Sequence, residues 1–123
     1  MADNQSYPTG RYLEVAVPSG TVAGDPVNKG NLSGIALYDR DSNGNAVIDR
    51  AGVYNIEVTA KDTANSAWGS DVTVGTELYI DDGSGSLDPG TVTPDETNGT
   101  FLGRAYGTVT NDSASKIDVQ IGY

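Results

Sequence analysis

Turn-forming residues interrupt this chain about every ten positions, and that punctuation limits the fold more than any other feature. Sixteen glycines and five prolines are spread through 123 residues, and no stretch between them keeps a capped apolar period of 3.6. Long helices are therefore not expected. Short alternating runs remain. In Tyr12–Val17 (YLEVAV), Leu13, Val15 and Val17 share one face while Tyr12, Glu14 and Ala16 share the other, the period of two of a half-buried strand. Tyr54, Ile56 and Val58 alternate in the same way, as do Ile117, Val119 and Ile121. The densest stretch is Thr21–Ala60: a turn at Gly24-Asp25-Pro26, a strand from Val27, the apolar run Leu32–Tyr38 and the strand Val53–Ala60. Gly34 inside that run marks a place for another backbone to approach closely. Thr76–Asp81 and Thr100–Val109 supply further strands. The expectation is an all-β domain, a small β-barrel or β-sandwich of about seven to eight short strands. Residues 12–123 form the single domain, and residues 1–11 are either a frayed end or a flexible N-terminal arm that orders against a partner.

Composition removes several kinds of chemistry. The chain has no cysteine and no histidine, so disulfides, thiolate sites, imidazole ligands and a Ser-His-Asp triad are all excluded. Carboxylate-only catalysis survives that test, but it needs two acids held across a cleft, and here the acids sit in loops. No enzyme is expected. Seventeen acidic against seven basic residues give a formal charge of −10, and the basic ones are scattered singly. A nucleic acid finds no cationic stripe to follow, and an anionic leaflet repels such a surface. No apolar run approaches the roughly 20 residues of a membrane span. The start, MADNQSYPTG, lacks the basic and apolar parts of a signal peptide, so synthesis in a cytoplasm is expected.

Three segments carry possible sites. Asp39, Asp41 and Asn43, with Gly44 following, copy the opening of a calcium loop. Its twelfth position is Arg50 rather than glutamate, and Asp49 falls one residue early. Asn43-Gly44 is equally a strong two-residue hairpin signal. The site reading names Asp39, Asp41, Asn43 and Asp49 as Ca²⁺ ligands; the hairpin reading needs no cofactor. Trp68, in the polar loop Lys61–Ser70, is either a lid on the core or an exposed binding platform. Asp82–Asn98, rich in glycine, proline and acid, reads as a long surface loop. Its acids, Asp82, Asp88, Asp95 and Glu96 with Asp81 before them, are either solvated or gathered on a cation.

Landmarks in order along the chain carry a family resemblance. They are Gly24-Asp25-Pro26-Val27 with Gly30, Gly34-Ile35-Ala36, Gly52-Val53-Tyr54, Val74-Gly75-Thr76-Glu77-Leu78-Tyr79, and Gly103-Arg104-Ala105 before the strand ending Val119–Ile121. Together they resemble the small capsid cement, or decoration, proteins of tailed phages, a family often mislabelled as a recombinase. A phosphate loop of the G-x-x-x-x-G-K-[ST] type is missing from the sequence, so the recombinase label has no chemical support. The Asp39–Asp49 and Asp82–Asn98 segments depart from the family pattern. The resemblance implies a structural virion protein on the outer surface of the phage head, clustered as a homotrimer and bridging subunits of the major capsid protein. It also implies a capsid-binding arm, for which Tyr7, Arg11, Tyr12, Leu13 and Val15 are the candidates. The competing reading is a non-catalytic β-sandwich module recognising carbohydrate or another surface ligand through Trp68, Tyr38, Tyr54, Tyr79 or Tyr106.

Overall fold

A computed structural model describes residues 11–61, 71–85 and 87–122. Nine strands follow one another: β1 (Tyr12–Ala16), β2 (Pro26–Lys29), β3 (Leu32–Ala36), β4 (Asn45–Asp49), β5 (Val53–Thr59), β6 (Glu77–Asp81), β7 (Val92–Thr93), β8 (Gly99–Ala105) and β9 (Ala114–Ile121). The described residues include no helix. The strands form two antiparallel sheets, one ordered β1-β4-β3-β2 and the other β5-β9-β8-β6-β7. The all-β expectation holds, with a strand count slightly above the seven or eight expected.

Two strands lie where the sequence reading named none: β4, within the Asp39–Asp49 hairpin, and β7, inside the segment read as surface loop. Val92 and Thr93 are both buried, and Val92 pairs with Ile80 of β6. This two-residue strand matters because it brings the five-stranded sheet nearly to closure. The sheet curls until its edge strands β5 and β7 approach each other. There the Thr93 hydroxyl donates to the Lys61 carbonyl just beyond β5. A bulge assists the curl: Leu78 pairs with Gly103 and Tyr79 with Phe101, so Leu102 is an extra residue on β8. Such an insertion bends and twists its strand. Next to it, a Cβ on Gly103 would fall on the Gln120 carbonyl oxygen, so only glycine lets β8 and β9 approach this closely. The nearly closed barrel encloses one core in which Val58, Leu78, Leu102 and Val119 are fully buried.

The four-stranded sheet faces two ways. Ile35 pairs with Asp49 and Ala36 with Ile48, so Ile35 and Ile48 are one register step apart and point to opposite faces. Ile35 belongs to the barrel core, whereas Ile48 joins Val17, Val27 and Ala46 in a second, smaller cluster. Leu13 and Val15 pack against that smaller cluster, as the alternation in Tyr12–Val17 predicts. Gly34 is the expected point of close approach: a Cβ there would lie 2.5 Å from the Asp49 carbonyl oxygen. Ser33 and Asn28 tie the sheet to the barrel by bonds to the Phe101 carbonyl (2.5 Å) and the Thr100 hydroxyl (3.4 Å).

Candidate interaction surface

Four of the positions named from sequence, Arg11, Tyr12, Asp49 and Tyr54, meet where the chain enters β1. Arg11 Nε donates to Asp49 Oδ1 at 2.8 Å and Nη2 to Oδ2 at 3.1 Å, a two-point pair. Tyr54 of β5 donates its hydroxyl to the same Oδ2, and the Ala51 N–H donates to Oδ1 at 3.1 Å. Asp49 is only 1% exposed, and burying a carboxylate is costly unless its lone pairs are met. Here four donors meet them. Burial alone pushes the Asp49 carboxyl up, but the bonds from Arg11, Tyr54 and Ala51 outweigh it and hold the group below its usual range. The same contacts raise Arg11 above its ordinary value, chiefly through the hydrogen bond to Asp49. Burial, then the bond to Asp49, pushes the Tyr54 hydroxyl up to about 12.

Of the candidate arm residues, Arg11 is thus held by its own domain. Tyr12 is 44% exposed, with the Arg11 guanidinium 5.0 Å from its ring centroid. Leu13 and Val15 turn inward to the small cluster, while Tyr7 lies outside the described residues. β1 pairs only with β4, so its other edge is open among the described residues, and an open edge is a template for strand addition.

The four calcium candidates are not brought together. Asp41 caps the hairpin by accepting from the N–H groups of Asn43 and Asn45, each at 2.9 Å. Asp39 accepts from the Ala23 N–H at 3.0 Å. Asp49 stands at the opposite end of the five-residue β4 from that turn, about 13 Å along an extended strand. The acids of the 82–98 segment also divide: Asp81 and Asp95 are buried, whereas Asp82, Asp88 and Glu96 are exposed. Asp81 accepts from the Gly83 N–H and Asp95 from the Thr97 N–H, at 2.8 and 2.9 Å. Among the described residues no group of three acids is gathered as a metal site would need.

The aromatic candidates are scattered. Tyr38 is 66% and Tyr106 61% exposed, on separate loops, and Trp68 lies outside the described residues. On the outside of the barrel Tyr79 meets Phe101 edge-on at 5.8 Å and donates to Glu77 at 2.8 Å, and Glu77 pairs with Arg104 at 3.3 Å. Burial and the bond to Glu77 push the Tyr79 hydroxyl up to about 12. Sequence reasoning missed Phe101, and it placed Asp49 in a loop site rather than beneath the start of β1. The only signal available was a lone acid ending a strand.

The described residues form an all-β body with an open strand edge beside the start of β1. Comparison with family models places it: residues 7–121 match the phage cement protein family, and the chain belongs to it. No curated protein and no solved structure matches the chain. Membership supports a role as phage capsid cement and a place in the virion capsid.

Proposed function

We propose that the protein binds the outer surface of the phage head after synthesis in the host cytoplasm, and stabilises contacts between neighbouring subunits of the major capsid protein. The family match across residues 7–121 carries the reading. The protein acts as a homotrimer, since several modest contacts held together gain avidity without any new bond type. Whatever binds the assembled shell and not its separated parts stabilises the shell by linkage. The segment leading into β1 is the contact arm, with Tyr7 and the exposed Tyr12, the first residue of β1, as its aromatic anchors and the open edge of β1 beside it. No catalysis, metal or cofactor enters this reading.

Deleting residues 2–10, which leaves Arg11 in place, tests the arm. The deletion is expected to reduce occupancy on undecorated heads by at least about tenfold, from loss of interface area. Unchanged occupancy would remove the arm from the reading.

A further inference from the structure

We propose that Arg11, Asp49 and Tyr54 form a latch that fixes the point and direction at which the N-terminal segment leaves the domain, so that the segment is presented to the capsid from a rigid base. The capsid as partner rests on the reading above; the latch itself stands on the geometry of the chain alone.

Arg11 is held by its backbone as well as its side chain. Its carbonyl accepts from the Arg50 N–H at 2.8 Å, its guanidinium grips Asp49 at two points, and that guanidinium also lies over the Tyr12 ring. An edge strand with one neighbour frays from its ends, and these constraints act at the end where β1 begins. They also refer that end to both sheets, because Asp49 closes β4 while Tyr54 belongs to β5. Gly52, in the connection between those strands, leaves room for the grip: its φ is +96°, and a Cβ there would lie 3.2 Å from Arg11 Nη2.

The chemistry of the latch argues for orientation over stability. Apolar residues of similar size commonly hold a fold as well as a buried ion pair does. A two-point guanidinium–carboxylate fork instead selects one geometry. A segment leaving from a fixed base loses less freedom on binding than one leaving from a frayed strand. The positioning residues are therefore Asp49 and Tyr54, acting through Arg11.

Limited trypsin digestion reads the latch in the full-length protein, because cleavage after Arg11 requires that side chain to leave Asp49. Cleavage after Lys116, in β9 of the barrel, reports opening of the whole domain. In Asp49→Asn and in Tyr54→Phe, cleavage after Arg11 is expected to rise at least about tenfold beyond any change at Lys116, since proteolysis follows the open population. Arg11→Lys, which keeps a cleavable site but loses the fork, is expected to behave likewise. Equal acceleration at both sites, or no acceleration, would overturn the latch.

Binding to undecorated heads then separates the two claims. If the 2–10 deletion abolishes binding and Asp49→Asn weakens it about tenfold at full trimer content, presentation from a fixed base is supported. If the deletion abolishes binding while Asp49→Asn binds like the unaltered protein, the presentation claim fails. If the deletion leaves binding unchanged, the capsid reading of the arm fails, and with it the claim that the latch serves the capsid.

Discussion

Among the described residues, the barrel core gathers fourteen buried apolar residues, Ile35 of the four-stranded sheet among them, whereas that sheet keeps four, Val17, Val27, Ala46 and Ile48, for a core of its own. The barrel also nearly closes its edges, through β7 and the Thr93–Lys61 bond. Among the described residues, the four-stranded sheet leaves β1 and β2 each with a single neighbour. One part stands on its own packing, and the other leans on it through Ile35 and the Asp49–Tyr54 contact. The division suits a cement protein: a stiff body carries a lighter sheet that holds the start of β1 and an open strand edge.

Truncating the larger core should have the greatest effect. Leu78 is fully buried, and Leu78→Ala is expected to cost about 3–4 kcal/mol through lost burial and a residual cavity. Urea unfolding should show both sheets lost in a single transition; a second transition at lower urea would show that the light sheet unfolds separately. Ile48→Val, in the small cluster, is expected to cost about 1 kcal/mol. A cost equal to that of Leu78→Ala would break the comparison, because it would make the small core as decisive as the barrel.

Stability should change with pH only outside the neutral range, because near pH 7 each of the following contributions is fully present. Tyr54 at the seam and Tyr79 on the barrel are both pushed up to about 12, so the folded state favours their protonated forms. The stability they contribute is complete below the unfolded tyrosine value of about 10 and is lost as pH rises from there to about 12. Asp49 has the opposite sign. Its carboxyl is held below the usual range, so its contribution is complete above the unfolded value of about 3.9 and is lost as pH falls through the depressed folded value. Absorbance titration should show a late-ionising tyrosine phase that shrinks by one group in Tyr54→Phe. A late phase of unchanged size in that variant would show that Tyr54 is not held by Asp49.

Much of the light sheet was legible locally. Alternation in Tyr12–Val17 named the residues that line the small core, and Gly34 marked the approach of the β4 backbone. The long 82–98 segment misled because β7 is only two residues and is buried by what surrounds it rather than by any pattern of its own. The Arg11–Asp49 pair spans 38 positions, and no local rule links residues so far apart. Asp49 therefore read as the end of a polar loop, although the register of β1 on β4 places it beside Tyr12.

The central claim is that this domain cements a phage head, and cosedimentation with mature, undecorated heads of the matching phage tests it most directly. The account predicts saturable binding at a fixed stoichiometry per capsomer, with decorated heads surviving heat that opens bare ones. Failure to bind either expanded heads or procapsids would contradict it.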